Sequence, residues 1–267
     1  MPLAVQEHLL PGSTPLEKLQ VAQRLGLNGV EFEITPDFEG HIPAIAAAVE
    51  TTGVRAAAVN LGHTYLIHPE YKRRDDALIA MRQAMTYAID LGAQGVLFKP
   101  FYSPGPVLPD LHPYKSALEL EAELLVTQLR ATLCDLAYAL GTELLLQPVN
   151  HTETHLVRRV EHGAIIRRKL DNHPHLKLAP GIYHMQMEHE PLDETLRQFA
   201  EDTAYLHISD TNHTLPGSGN VDFAALAVVL HEINYTGWLT IVGQGSNTLN
   251  EAQLAASIAE LRQANLV

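Results

Sequence analysis

Short apolar runs alternate with longer amphipathic segments from one end of this chain to the other, and this alternation constrains its fold more than any other feature. The runs are nearly continuous in apolar residues, as parallel strands buried on both faces should be. Strands that alternate with helices indicate βαβ units around a parallel sheet. Eight strands can be placed, at residues 3–5, 30–34, 54–60, 95–99, 144–147, 176–179, 205–208 and 238–242.

The predicted helices begin and end on recognisable signals. The first opens at the capping box Thr14-Pro15-Leu16-Glu17 and closes near Gly26. The last opens at a second capping box, Thr248-Leu249-Asn250-Glu251. Between them we expect helices over residues 44–52, 71–91 and 116–140, and a helix near residues 192–201 that is the shortest of the set.

Two architectures share this alternation, a closed barrel and a doubly wound open sheet. The open sheet usually carries a glycine-rich phosphate loop after its first strand, where this chain has Gln6-Glu7-His8. The length of 267 residues also fits a barrel, which takes about 250 residues. We therefore predict an α/β fold in which residues 1–267 form a single (β/α)8 barrel, or TIM barrel, with its chemistry at the C-terminal ends of the strands.

Charge and cysteine content argue against several classes of protein. A formal net charge of −13 repels phosphate backbones, so nucleic acid is not expected as a partner. The one cysteine, Cys134, rules out an internal disulfide and fits a reducing compartment. No apolar run approaches the roughly 18 residues that cross a bilayer, and the N-terminus lacks a secretory pattern. We expect a cytoplasmic protein with no membrane partner.

Polar side chains gather where the predicted strands end. They are amides, hydroxyls, imidazoles and a few carboxylates, with Lys99 almost alone as a fixed positive charge. Such a lining suits a neutral polyol better than a phosphate. One histidine in a loop is usually a surface residue, but repetition at the same end of successive strands favours a pocket. The residues are Gln6, His8, Glu31, Glu33, Asn60, His63, Lys99, the segment 147–155, Tyr183, His184 and the segment 207–213.

Five segments, in the correct order and spacing, carry a family resemblance that covers nearly the whole chain. They are LGLNGVE at 25–31, LGA at 91–93, QPVN with ETH within 147–155, YHM at 183–185, and the segment 207–223 from His207 to PGSGNVDF. On these segments the chain is identified as a member of the xylose isomerase-like barrel superfamily. It resembles the branch of ketose 3-epimerases, hydroxypyruvate isomerases and related sugar isomerases.

The resemblance implies a metal site that this sequence does not preserve. Members of the family hold Mn²⁺, Mg²⁺ or Co²⁺ with two glutamates, an aspartate and a histidine, and the glutamates exchange the substrate's protons. The positions that match are Gln147, Gly181, His207 and Val242, so His207 is the one retained ligand. The three replacements carry no charge, and an amide is too weak a base to take a proton from carbon. No cofactor is therefore expected.

The sugar-contacting positions are better preserved than the metal ligands. Glu153, His184 and His213 match positions that touch substrate hydroxyls in the epimerases, with His213 in place of an arginine. The first hypothesis is therefore a barrel that binds a sugar or polyol but lacks metal-dependent isomerase activity. Its predicted ligand-binding residues are His63, Lys99, Gln147, Asn150, Glu153, His184, His207 and His213.

A second hypothesis keeps the chain an enzyme. A metal-free isomerase or epimerase would use Glu153 or His184 as the catalytic base, with Lys99 stabilising an enediolate. Alternatively the histidines rebuild a metal site, which would favour Zn²⁺, Ni²⁺ or Co²⁺ over Mg²⁺ or Mn²⁺. The side chains available for that site are Glu153, Asp210, His151, His155, His184, His207 and His213.

A third hypothesis, a DNA-repair endonuclease of the same superfamily, requires a multi-metal cluster and a basic groove. The net charge of −13 and the missing carboxylates disfavour it. By family analogy a homo-oligomer is expected, and the proline-rich loop at residues 101–113 is a candidate lid over the pocket.

Overall fold

The computed structural model describes residues 1–243 and 250–267. Its strands lie within a few residues of the predicted positions, and each neighbouring pair in the sheet runs parallel. The sheet order is β6-β5-β4-β3-β2-β1-β8-β7. The strands are β1 Leu3–Gln6, β2 Gly29–Glu33, β3 Arg55–His63, β4 Gly95–Lys99, β5 Glu143–Leu146, β6 Leu176–Leu178, β7 Tyr205–Ile208 and β8 Trp238–Ile241.

The sheet closes into a nearly complete barrel between its two outer strands, β6 and β7. Two isolated parallel bridges join them, Leu178 with Thr203 and Gly181 with His207. The N–H of His207 donates to the carbonyl of Pro180 at 3.0 Å. The prediction of a (β/α)8 barrel is therefore confirmed, and all eight strand ends meet around one mouth.

The helices follow the predicted order, with differences at several places. The second begins upstream of Pro43, the residue after which it was expected to start, and contains that proline. A helix at Ile182–Met187 was not predicted, and it is shorter than Leu192–Gln198, so the expectation for the shortest helix was wrong. The helices are α1 Pro15–Arg24, α2 Phe38–Thr52, α3 Tyr71–Asp90, α4 Ala117–Gln128, α5 Cys134–Leu140, α6 Val160–Lys169, α7 Ile182–Met187, α8 Leu192–Gln198, α9 Phe223–Glu232 and α10 Glu251–Gln263.

Local signals explain several of these boundaries. The capping box of Thr14 and Glu17 is present at α1. Thr248, from the second predicted box, lies outside the described residues, and α10 is capped by Asn250 with Gln253. The segment predicted as one helix over 116–140 is α4 and α5, joined by a π-helical turn at Leu129–Leu133. Among the described residues, no helix combines the length and apolarity that crossing a membrane requires.

The apolar core forms two layers, one inside the barrel and one between the strands and the helices. Close approach of neighbouring strands limits side-chain size, since a Cβ on Gly95 would lie 2.2 Å from the carbonyl oxygen of Glu143. The inner layer lies below the mouth, and alanines make up half of it. Its residues are Ala4, Ala57, Ala58, Leu97, Leu145, Ala179, Tyr205 and Trp238. The barrel interior is therefore filled by apolar residues at its base and by polar ones at its C-terminal end.

Candidate functional site

A buried carboxylate, Glu31, lies at the centre of the mouth. It lies on β2, between β1 and β3 in the sheet, which brings the side-chain amides of Gln6 and Asn60 to its Oε1 at 2.9 and 2.8 Å. Its other oxygen, Oε2, accepts from the hydroxyl of Tyr205 at 2.9 Å. Because a buried charge requires such partners, these donors keep the carboxylate ionised inside the barrel.

His207 connects Glu31 to the wall formed by β5. Its Nε2 lies 2.6 Å from Glu31 Oε2, and its Nδ1 lies 2.8 Å from the side-chain nitrogen of Gln147. An amide nitrogen only donates, so Nδ1 accepts and the ring proton is on Nε2, donated to Glu31. Burial alone would raise the pKa of Glu31, but His207 and the amide donors outweigh it and lower that pKa to about 2. Both ring nitrogens of His207 are therefore occupied by protein groups.

Two members of this network were not found from the sequence. Thr240 donates to the hydroxyl of Tyr205 at 2.6 Å, and Tyr205 donates its own proton to Glu31. Both residues lie in strands that read as apolar runs, where a tyrosine or threonine gives no functional signal. The period of two along a strand, which places alternate side chains in the barrel, was the one available clue.

A second carboxylate, Glu153, lies on the segment after β5 and is less deeply buried. The Nε2 atom of His63 lies 3.0 Å from its Oε2, and Lys99 Nζ lies 3.2 Å from the same oxygen. Burial would raise the pKa of Glu153, but the hydrogen bond from His63 and the charge of Lys99 lower it to about 2. Three predicted site residues from different strands therefore converge as one ionised, paired group.

His184 lies beside that group on α7. The backbone N–H of Asn150 points at its Nδ1 at 3.3 Å and the Asn150 side-chain nitrogen lies 2.9 Å away, so Nδ1 is an acceptor and the proton is on Nε2. Burial, with a smaller contribution from Lys99, lowers the pKa of His184 to about 3. His184 is therefore neutral near neutral pH, 3.7 Å from a Glu153 oxygen.

The two clusters meet at Gly181, one of the positions that the resemblance matches to a family metal ligand. A Cβ added there would lie 3.1 Å from a ring carbon of His184, 3.4 Å from Cβ of His207 and 3.8 Å from the side-chain nitrogen of Gln147. The matched positions 147, 181 and 207 therefore do converge in space. These three positions themselves supply an amide and an imidazole, and none of them supplies a carboxylate.

His213 covers this region from the loop after β7. Asn212 and His213 both have positive φ, 59° and 60°, a conformation that is strained for residues other than glycine. The His213 ring stacks on Tyr183 at 4.7 Å between centroids and 8° between planes. Burial, together with a smaller contribution from the charge of Lys99, lowers the pKa of His213 to about 4.

Asp210 holds the loop that carries His213. Its carboxylate accepts the backbone N–H groups of Gly217 and Val221 at 3.0 Å each, and that of Thr211 at 2.8 Å. These bonds use both oxygens and tie the start of the loop to its end. Asp210 was a candidate for a rebuilt metal site, but its role in the structure is to position the loop.

Two other histidines of that hypothesis point away from the mouth. His151 contacts Glu188 with its Nδ1 at 2.7 Å and is half exposed. His155 lies between the carboxylate of Glu121 and the carbonyl of Ser103. Their spacing along the segment after β5 resembles that of a ligand cluster, but consecutive loop residues here face different sides. His151 and His155 therefore contact Glu188 and Glu121 and are not brought together with His184, His207 and His213.

The loop at residues 101–113 is fastened beside the mouth. Glu121, a buried glutamate of α4 that gave no signal in the sequence, accepts from the backbone N–H of Val107 and of Leu108. The N–H of Ser103 donates to the carbonyl of Glu153 at 3.0 Å. The Tyr102 ring meets His63 edge-on at 5.0 Å. This loop therefore forms a wall of the site next to Glu153.

The side chains present do not fit the divalent metal that the family resemblance implies. Val242, buried at the end of β8, and Gly181 offer no donor atom, and Gln147 presents N–H groups to His207. In residues 1–243 and 250–267 no three histidine, cysteine, aspartate or glutamate side chains are grouped to hold a metal. The remaining sequence, 244–249, contains none of these four residue types. At the matched positions Mn²⁺ or Mg²⁺ would therefore find none of the carboxylate oxygens that they prefer.

Comparison with known proteins identifies the relatives of this chain. The family model described as the xylose isomerase-like TIM barrel matches residues 19–264. The 3-dehydro-D-guloside 4-epimerase of Escherichia coli K12 is 25% identical over 233 residues, which are 86% of this chain and 87% of that protein.

Solved structures agree on the fold. That of 3-keto-D-glucoside 4-epimerase from E. coli has a TM-score of 0.86 at 23% identity and covers 98% of this chain and 99% of its own. The structure of D-allulose 3-epimerase from Methylomonas sp., in complex with D-allulose, has a TM-score of 0.85 at 18% identity. The match covers 98% of this chain and 96% of that protein's chain. At these identities the structural similarity shows the architecture alone and does not identify the ligand.

Proposed function

This chain belongs to the xylose isomerase-like TIM barrel family, and from that premise we propose that its mouth binds a neutral sugar or polyol without a divalent metal. Its relatives are sugar epimerases and isomerases. The observation that carries the proposal is the state of His207, whose two ring nitrogens contact Glu31 and Gln147. The retained ligand therefore has no free nitrogen for a metal.

The site still offers hydrogen-bonding groups to a polyhydroxylated ligand. Gln147 Oε1 and His63 Nδ1 are buried and have no protein partner among the described residues. Buried polar atoms are nearly always paired, so these two call for a ligand or a solvent molecule. A sugar hydroxyl both donates and accepts, and can pair with either atom. The neutral ring of His184 adds an N–H donor at the same place.

The charges of the site favour a neutral ligand over an anion. Lys99 is paired with Glu153 at 3.2 Å, so its charge is not available to a phosphate. The lowered pKa values of His184 and His213 keep both rings uncharged near neutral pH. The mouth therefore lacks the clustered cations that phosphate recognition requires.

The lowered pKa values of Glu153 and His184 argue against proton abstraction from carbon by either side chain. A carboxylate with a pKa of about 2, as in Glu153, is a weaker base than an ordinary glutamate. General-base catalysis is most effective when the pKa of the base lies near the working pH. His184, with a pKa of about 3, is equally mismatched, and its Nδ1 lone pair is occupied by Asn150.

A metal-free isomerase remains the second candidate, because Lys99, Glu153 and His184 lie together at the strand ends. Incubation with D-allulose, D-tagatose or D-fructose in the presence of EDTA, followed by chromatography, detects such turnover. Activity that disappears in both Glu153→Gln and His184→Ala, and persists in the surface variant His151→Ala, would establish this candidate. Activity that appears with added Mn²⁺ would contradict the first proposal.

Elemental analysis tests the metal directly. We expect the purified protein, expressed with Mn²⁺, Co²⁺ and Zn²⁺ supplied, to contain far less than one equivalent of any of them. The triple variant Gln147→Glu, Gly181→Asp, Val242→Glu restores the matched carboxylates and should retain Mn²⁺ or Co²⁺ through dialysis. A stoichiometric metal in the unmodified protein refutes the proposal.

Ligand binding is measured separately, by calorimetry in EDTA with ketohexoses and methyl glycosides. We expect His213→Ala to lower the affinity for any sugar that the native protein binds. His151→Ala should leave that affinity unchanged, because His151 is half exposed and contacts Glu188. Equal effects of the two variants would place the binding site elsewhere. A cytoplasmic location and a homo-oligomer stay predictions, and sedimentation analysis checks the second.

A further inference from the structure

A separate cavity of about 350 Å³ lies beside the mouth, between the ends of β1 and β2 and the beginnings of α1 and α2. Its volume is near the lower end of the range for small-molecule sites. The walls combine carboxylates, imidazoles, hydroxyls and an apolar floor. Its principal lining residues are Glu7, His8, Lys18, Glu33, Asp37 and Phe38.

Two residues connect this cavity to the mouth. Glu33 is two positions after Glu31 on β2, so both side chains are on the same face of that strand. Glu31 is at the centre of the mouth, and Glu33 is above it, at the exposed end of the strand. His8 lies in the short helical turn Glu7–Leu9 that follows β1, at the same end of the barrel, and it also lines the cavity. A ligand in the mouth can therefore extend toward the cavity past Glu33 and His8.

We propose that this cavity is a subsite for the second ring of a glycoside whose first ring occupies the mouth. This inference rests on the proposed function and specifies its ligand class. It requires a molecule of at least two linked units, since one ring in the mouth would leave the cavity to solvent.

The lining favours a neutral ring with free hydroxyls. Lys18 is bound to Glu7 at 2.9 Å, and Glu33 and Asp37 give the cavity two further carboxylates. Carboxylate oxygens accept well from sugar hydroxyls, and hydrogen bonds to charged groups are stronger than neutral ones. Three carboxylates against one lysine repel a phosphate. Phe38 and Ile45 supply the apolar floor against which the carbon face of a ring can pack.

The test compares pairs of probes that differ by the second ring. Calorimetry in EDTA measures methyl β-D-glucopyranoside against cellobiose, and methyl β-D-galactopyranoside against lactose. Two substitutions alter the cavity at exposed positions outside the mouth: Thr35→Trp reduces its volume, and Asp37→Asn removes one charge. Asp135→Asn, at an aspartate that is 92% exposed on α5, is the matched control.

In at least one pair we expect the disaccharide to bind about tenfold more tightly than its methyl glycoside. Thr35→Trp and Asp37→Asn should remove most of that advantage and leave the affinity for the methyl glycoside unchanged, whereas Asp135→Asn changes neither. Disaccharides that bind no better than methyl glycosides overturn the subsite, and so do variants that weaken both probes equally. If no probe of either kind binds, the proposed function itself fails and the subsite fails with it.

Discussion

Replacing His184 with glutamine should remove a defined part of the acid sensitivity of this protein. The folded pKa of His184 is about 3 and its ordinary value is 6.5, because the ring is buried. A histidine whose pKa is lowered by folding takes up its proton more readily in the unfolded chain. Its contribution to stability is therefore complete above the unfolded pKa and is lost as the pH falls from 6.5 toward 3.

The size of this effect follows from the two pKa values. At about pH 5 the unfolded histidine is almost fully protonated and the folded one is neutral. The difference of about 1.5 pH units corresponds to a loss of about 2 kcal/mol. Glu31 and Glu153, whose pKa values are also lowered, contribute mainly below the ordinary glutamate pKa of about 4.3. The lowered pKa of His213 acts in the same direction, but it is present in both proteins and largely cancels.

The assay is urea unfolding of the native protein and of His184→Gln at about pH 7.5 and about pH 5. Glutamine can still accept the hydrogen bond from Asn150 and does not titrate. We expect the native protein to lose about 2 kcal/mol more than the variant between the two pH values. Equal losses in the two proteins would refute the reasoning, as would an NMR titration in which the His184 ring protonates above pH 5.

Three further substitutions test the rest of the site. Asp210→Asn should cost only about 1–2 kcal/mol of stability but weaken sugar binding, because the loop that holds His213 loses its charged acceptor; calorimetry and urea unfolding together separate the two effects. Glu121→Gln should lower the free energy of unfolding by about 3 kcal/mol near neutral pH. This difference should shrink in acid, where Glu121, whose pKa is lowered, takes up a proton, and in base, where His155, whose pKa is raised, loses one. Glu31→Gln should cost about 3–5 kcal/mol in urea unfolding, because it replaces a buried carboxylate that accepts four hydrogen bonds, and a cost below about 1 kcal/mol would contradict that account.

Most of the barrel could be predicted because buried parallel strands leave a strong pattern in the sequence. Strand β4 was placed to the residue, and the capping box at Thr14 fixed the start of α1. Helix α7 was missed because its six residues, Ile182–Met187, are too few to show helical periodicity. The start of α2 was misplaced because Pro43 usually marks a helix boundary, whereas here the helix continues through it and gives up one hydrogen bond.

The polar site was predicted less evenly, since strand ends can be located from the sequence but side-chain directions in loops cannot. His63, Lys99 and Glu153 were all predicted as ligand-binding residues, and they lie together because His63 ends β3, Lys99 ends β4 and Glu153 follows β5. His151 and His155 have similar spacing, yet they contact the carboxylates of Glu188 and Glu121. Glu121 gave no signal in the sequence, because its burial depends on how the loop at residues 101–113 packs against α4.

The electrostatics of the mouth fit neutral residues at positions 147, 181 and 242, the three positions that the resemblance matches to carboxylates. A histidine that binds a metal commonly donates its far N–H to a carboxylate, and His207 retains this arrangement with Glu31. Three additional carboxylates converging here without a cation would repel one another and Glu31 across a buried space, and each would raise the pKa of the others. An amide at 147, no side chain at 181 and an apolar one at 242 remove that repulsion, and Gln147 satisfies the nitrogen of His207 that a metal would otherwise occupy. Both oxygens of Glu31 and both ring nitrogens of His207 therefore have hydrogen-bond partners within the protein, as we propose for a site that binds hydroxyl groups without a cation.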